Sequence, residues 1–134
     1  MIGSIDHIGI AVPSLKDALE LYEKRLGFRV HEMEAVASER VNVAILFSGN
    51  TRVELLEPQT KDSPISKFLE AKRGGVHHLA FSVDDVAAEV ARLKGEGVRL
   101  IEPAPRPGAQ GAVVAFIHPK DAGGVLLELV QRKK

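Results

Sequence analysis

The sequence predicts an α+β domain in which two βαβββ modules pair to form curved mixed sheets around a cleft. Three observations support this prediction. The 134 residues match the length of one ordinary domain. A strand, a capped helix and three further strands occur twice in the same order. A chain of this length also buries enough surface to fold without disulfides, and it contains no cysteine.

Each module begins with an apolar strand that carries a histidine at its third position. Residues 5–12 of the first copy align with residues 76–83 of the second, and the two histidines are His7 and His78. Because side chains two apart share a face of a strand, His7 lies with Gly9 and His78 lies with Ala80. We expect these small neighbours to leave an open concavity beside each imidazole.

A helix follows each of these strands. In the first copy Ser14 is the N-cap, and apolar residues recur at helical spacing until Gly27. In the second copy Asp84 or Asp85 caps a helix that ends near Gly95. The apolar stripes predict one buried face on each helix.

Three strands complete each module. They span about residues 28–34, 41–48 and 52–57 in the first copy, and about 99–102, 113–118 and 125–131 in the second. Residues 103–111 contain three prolines and two glycines, which predicts a connector that could form a shaped lid.

A short helix links the modules, with Ser63 as N-cap, Pro64 at its first position and glycines at its end. We therefore predict a single domain over residues 1–134, with module one at about 1–60, the linker helix at about 63–74 and module two at about 75–134. A module of about 65 residues lacks a comfortable core of its own, so we expect the two to pack about an approximate two-fold axis.

The composition excludes several classes of partner. Eighteen Lys and Arg balance eighteen Asp and Glu, which argues against a nucleic-acid surface. No apolar run is long enough to cross a membrane, and the first residues lack the pattern of a secretion signal, so we expect a cytoplasmic protein. The basic end, residues 132–134, is predicted to be a solvated tail.

The repeat also supplies the same pair of chemical groups twice, His7 with Glu54 and His78 with Glu128. A single strand histidine is more often structural than a ligand. A glutamate inside an apolar strand, however, is costly unless it is paired or bound to a metal. Two imidazoles and two carboxylates form a plausible shell for a divalent ion, and Co, Mn, Ni, Zn and Fe all fit such a set.

The remaining candidates are weaker. His77 points away from His78, His31 lies in a polar stretch, and His118 precedes a proline turn; we interpret these three as structural residues or as residues at the edge of a substrate site. Glu57 points away from Glu54 and is expected to be solvated.

Taken together, several segments resemble the vicinal oxygen chelate superfamily, and within it the methylmalonyl-CoA epimerase family, over nearly the whole chain. The segments that carry the resemblance are residues 6–12, 49–58, 62–65, 75–78 and 118–129. The resemblance implies a 1,1-proton transfer at C2 that interconverts (R)- and (S)-methylmalonyl-CoA through a metal-stabilised enolate. It also implies that an acyl-CoA is the small-molecule partner and that the protein is a homodimer.

By the same resemblance, the metal ligands are His7, Glu54, His78 and Glu128. The expected two-fold axis would place Glu54 and Glu128 on opposite sides of the metal, which makes them the candidates for the group that removes the proton and the group that returns one. Arg106 and Lys120 match basic positions of the family and are candidates to bind the CoA phosphates. Some members have Gln at the position of Glu54 and a base on the preceding strand, where this chain reads Val41-Asn42-Val43-Ala44. Glu54 is therefore either a base or only a ligand.

Two other functions remain open. Glyoxalase I, a lactoylglutathione lyase, uses the same kind of metal shell and also moves a proton. A drug-sequestering protein of the bleomycin-resistance type would have an aromatic pocket and no metal, whereas this chain has five Phe, one Tyr and no Trp.

Overall fold

A computed structural model describes residues 1–133 of the chain. The described residues form two compact units. The first unit is His7–His77, and the second combines Met1–Asp6 with the chain from His78 onward. Lys134, which belongs to the predicted domain and to the predicted basic tail, lies outside the described residues.

The first unit contains a mixed four-stranded sheet in the order β2-β3-β4-β1. Strand β1 runs parallel to β4, and the other neighbouring pairs are antiparallel. The elements are β1 (Ile5–Ala11, of which the first two residues belong to the second unit), α1 (Leu15–Leu19), β2 (Arg29–Val36), β3 (Val41–Ser48), β4 (Thr51–Pro58) and α2 (Pro64–Lys72).

The helix starts of the first unit follow the predicted caps. The Ser14 hydroxyl accepts from the Asp17 amide, and the Ser63 hydroxyl accepts from the Ile65 amide. The helical segment stops just before Gly27, as predicted, but its second half, Glu20–Arg25, is a π-helix rather than an α-helix. The apolar side of α1 still packs on the sheet, in a core formed by Val12, Leu15, Ala44, Leu46 and Leu55.

The second unit repeats this arrangement, with the sheet order β5-β8-β7-β6 and a parallel β5–β8 pair. The elements are β5 (Gly75–Ser82), α3 (Val86–Gly95), β6 (Leu100–Pro107), β7 (Val113–Ile117) and β8 (Leu127–Gln131), and Asp85 caps α3. Its core consists of Val83, Val86, Val90, Ala115, Ile117 and Leu129. The α+β class with mixed sheets is confirmed.

The predicted connector 103–111 is partly wrong, because β6 continues to Pro107 through three prolines. Proline has no amide hydrogen, so it is tolerated only where a strand has a free edge or a bulge. Strand β6 meets both conditions, since it is the last strand of the order and its register shifts between Ile101 and Arg106.

Two further expectations are corrected. Glu57 is half-buried rather than solvated, and its carboxylate accepts from the Leu15 amide at the start of α1 and from the Asn42 side chain. Arg132 does not belong to a free tail, because its guanidinium donates two hydrogen bonds to Asp6. No helix within residues 1–133 is long and apolar enough to cross a membrane.

Candidate metal and active site

In the first unit, His7 and Glu54 form a buried pair. The Nε2 atom of His7 lies 3.5 Å from the Oε1 atom of Glu54. The parallel register places Gly9 opposite Glu54, and Gly9 shares its face of β1 with His7. The absence of a side chain at Gly9 leaves room for the imidazole and the carboxylate to meet over the strands.

In the second unit, His78 and Glu128 form the corresponding buried pair, with 2.9 Å between His78 Nε2 and Glu128 Oε1. Here the residue opposite Glu128 in the parallel register is Ala80. The antiparallel neighbour of Glu128 is Phe116, whose ring meets the His78 ring edge-on at 6.1 Å between centroids. The structure thus forms both sequence-predicted pairs, each within its own unit.

Strand β3 provides no carboxylate on the face of Glu54. Ile45 lies opposite Glu54, and Val43 and Phe47 share its face. Asn42 lies on the other face, where it donates to Glu57. A base on β3 in the manner of some family members is therefore absent from this strand of the described chain.

One polar side chain beside Glu54 was not singled out from the sequence. Arg52 lies two residues before Glu54 on β4, so the two share a face. Its Nη1 atom is 3.6 Å from Glu54 Oε2, and its guanidinium lies over the Phe47 ring. The i, i+2 spacing of an arginine and a glutamate in an apolar strand was the signal that could have identified it.

The other three histidines have contacts inside their own units. His31 meets the Phe47 ring edge-on and His77 meets Phe68 in the same way. The Nδ1 atom of His118 accepts from the backbone amide of Lys120.

The two residues predicted to bind CoA phosphates differ in their surroundings. Arg106 is half-buried over the Phe116 ring, and its guanidinium donates to the carbonyl oxygens of Pro103 and Ile101. Lys120 is exposed in a 3-10 turn, Pro119–Asp121. Phosphate binding by either residue stays a prediction.

Comparisons with known proteins agree over most of the chain. Residues 6–116 match the model of the Glyoxalase/Bleomycin resistance protein/Dioxygenase superfamily. The chain is 43% identical to mitochondrial methylmalonyl-CoA epimerase of Homo sapiens, over 97% of this chain and 74% of that protein. It is 41% identical to ethylmalonyl-CoA/methylmalonyl-CoA epimerase of Cereibacter sphaeroides, over 98% of this chain and 99% of that one.

A solved structure of a methylmalonyl-CoA epimerase is similar to this chain in its fold as well. A variant of Streptomyces coelicolor methylmalonyl-CoA epimerase, in complex with 2-nitronate-propionyl-CoA, matches with a TM-score of 0.93 at 39% identity, covering 100% of both chains.

Proposed function

This chain belongs to the glyoxalase/bleomycin resistance protein/dioxygenase superfamily, and we propose that it interconverts (R)- and (S)-methylmalonyl-CoA by moving the proton at C2. The observation that carries the proposal is the doubled pair of a buried imidazole and a buried carboxylate, His7 with Glu54 and His78 with Glu128. Relatives that match nearly all of the chain are epimerases of this substrate, which supports the same reaction here.

The donor set of these pairs fits a divalent metal. His7, His78 and Glu128 are buried and each offers one ligand atom, and Glu54 offers a buried carboxylate on the face of His7. We assign these four residues as the ligands. A metal held by them would act as a Lewis acid toward substrate oxygens that gain negative charge when C2 loses its proton.

Inversion at C2 needs one group to take the proton from one side of the planar intermediate and another group to deliver a proton to the opposite side. We assign these tasks to Glu54 and Glu128. The side chains of β3 on the face of Glu54 are all apolar, which favours Glu54 itself as the proton-transferring group of the first unit. A glutamate side chain in a buried site can accept or release a proton without a large change in its own conformation.

For the remote part of the substrate, we assign Arg106 and Lys120 to the CoA phosphates. Contacts with the distant phosphates would supply binding energy that orients the acyl group. If Arg106 has this role, Arg106→Ala raises KM for methylmalonyl-CoA, and an unchanged KM rejects it. We also retain the homodimer and the cytoplasmic location as proposals; sedimentation of the purified protein tests the first.

The function is tested by reconstituting the purified protein with Co²⁺ or Mn²⁺ and offering it two substrates. We expect turnover of methylmalonyl-CoA and none of the glutathione adduct of methylglyoxal. Turnover of the glutathione adduct alone would replace the proposal with a lactoylglutathione lyase. Elemental analysis that finds no bound metal, together with insensitivity to chelators, would favour a drug-sequestering protein.

A further inference from the structure

Arg52 lies on the same sheet face of the first unit as His7 and Glu54. In the registers of β4 it is opposite His7 on β1 and opposite Phe47 on β3, and it shares its own strand face with Glu54. It is therefore a direct neighbour of both residues that we assign as metal ligands in this unit.

The environment of Arg52 is restricted. Its side chain is only 15% exposed, and its guanidinium carbon lies 5.4 Å from the centre of the Phe47 ring. His31 packs edge-on against the same ring. The Nη1 atom of Arg52 lies 3.6 Å from Glu54 Oε2, so the guanidinium forms an ion pair with this carboxylate on the same strand face.

The second unit lacks this cation at the corresponding position. The residue two before Glu128 is Leu126. An arginine does lie over a phenylalanine there, with 5.2 Å from Arg106 to the Phe116 ring centre, but its donors go to carbonyl oxygens of its own strand. An arginine two residues before the glutamate of the pair is thus found in the first unit, and a leucine takes its place in the second.

We propose that Arg52 recognises the free carboxylate of the substrate's acyl group, and so selects carboxyacyl-CoA thioesters over acyl-CoA thioesters without that charge. The inference rests on the proposed function, whose substrate carries a carboxylate on the carbon that is deprotonated. A guanidinium matches the planar geometry of a carboxylate and can bind both of its oxygens. The Phe47 ring limits where the guanidinium can move and so orients it in advance.

The test compares binding of malonyl-CoA with binding of propionyl-CoA, which lacks the second carboxylate. Calorimetric titration uses the metal-loaded protein, with metal content matched between wild type, Arg52→Gln and Arg52→Lys. Loss of one charge-assisted contact typically costs about 1.5–3 kcal/mol, so Arg52→Gln should weaken malonyl-CoA by roughly 10- to 150-fold. Propionyl-CoA should change by less than about threefold, and Arg52→Lys should recover part of the loss for malonyl-CoA.

Arg29→Gln is the matched control. Arg29 lies opposite Phe47 on β2 and is exposed, so this variant removes a cation from the strand on the other side of Phe47. It should leave both affinities unchanged. If Arg52→Gln weakens the two ligands equally, or weakens neither, Arg52 does not recognise the carboxylate and the proposal is wrong.

Failure of this proposal can be distinguished from failure of the proposed function. Wild-type protein that fails to epimerise methylmalonyl-CoA overturns the function, whatever the variants bind. Wild-type protein that epimerises normally while Arg52→Gln keeps its preference for malonyl-CoA overturns only the role of Arg52.

Discussion

The two units of the chain carry the same histidine–glutamate pair in different surroundings. In the first unit Glu54 lies beside Arg52 and an aliphatic neighbour, Ile45. In the second unit Glu128 lies beside Phe116, within 2.9 Å of His78. The repeat therefore keeps the two residue types of the pair and changes the residues beside them. An inversion needs one group that acts as an acid and one that acts as a base. Different neighbouring residues are one way to give two carboxylates of the same residue type these different roles.

A second pair of equivalent residues shows the same divergence away from the site. The Leu15 amide at the start of α1 donates to the carboxylate of Glu57, whereas the Val86 amide at the start of α3 donates to the side-chain amide oxygen of Gln131. Both side chains come three residues after the glutamate of their unit. The equivalent position in each unit accepts a hydrogen bond from the first amide of a helix. The residue type there decides whether the acceptor is charged, as at Glu57, or neutral, as at Gln131.

The largest expected effect comes from removing one imidazole from either unit. His7→Ala and His78→Ala should each lower the metal content, and each should lower epimerase turnover by more than about 100-fold. Mutating a residue that only supports a metal ligand typically lowers metal affinity or activity by about 10- to 100-fold, so loss of a ligand itself should cost more. Elemental analysis and turnover assays provide the measurement, and His31→Ala is the control. If only one of the two variants loses metal, the two pairs are not equivalent ligands.

Exchanging the residue types at positions 57 and 131, which accept hydrogen bonds at the starts of α1 and α3, should have a smaller effect, on the free energy of unfolding. Glu57→Gln leaves one oxygen to serve two donors, Leu15 and Asn42, and removes a negative charge from the N-terminus of α1. It should lower the free energy of unfolding by about 1 kcal/mol. Gln131→Glu adds the charge at α3 and should raise that free energy by about 0.5 kcal/mol. Urea denaturation measures both, and a loss of stability in both variants would contradict the account.

The smallest effect is the pH dependence of one ion pair in the second unit, Arg99 with Asp121. Hydrogen bonds from the Arg99 side chain and backbone lower the pKa of Asp121 from 3.8 to about 2. The folded-state pKa is depressed, so this pair stabilises the protein above pH about 4, and its contribution is lost as the pH falls toward 2. Asp121→Asn should therefore be less stable than wild type at pH 7, with a gap that closes between pH 4 and 2. A gap that stays constant over this range would show that ionisation of Asp121 is not its source.

Much of the fold could be predicted because the patterns that indicate its strands and helices occur in both copies of the repeat. The caps at Ser14, Ser63 and Asp85 and the apolar faces beside the two histidines all form where the residue pattern places them. The path of β6 could not be predicted, since proline argues against a strand unless the strand is known to lie at an edge. The apolar spacing of the first helical segment also gave no indication of the π-helix over Glu20–Arg25.

At the site, residue type and spacing were sufficient to identify both histidine–glutamate pairs but not their neighbours. Arg52 and Phe116 lie beside these pairs because of the registers between neighbouring strands, and the registers could not be read from the sequence. Glu57 was predicted to be solvated because it points to the opposite face of its strand from Glu54. Its actual partners, Leu15 and Asn42, lie 42 and 15 residues away along the chain.

The central claim is that Glu54 and Glu128 move the proton on opposite sides of C2, and exchange of that proton with deuterium tests it most directly. Each epimer of methylmalonyl-CoA is incubated in D₂O with metal-matched Glu54→Gln, Glu128→Gln and, as a control, Glu34→Gln. Glu34 lies on β2 opposite Val43, on the face of Glu54 but two strands away. The account predicts that the first two variants each lose exchange for a different epimer and lose epimerisation by about 100-fold or more, while the control keeps both activities. Normal exchange of both epimers in Glu54→Gln and Glu128→Gln would contradict the two-carboxylate mechanism.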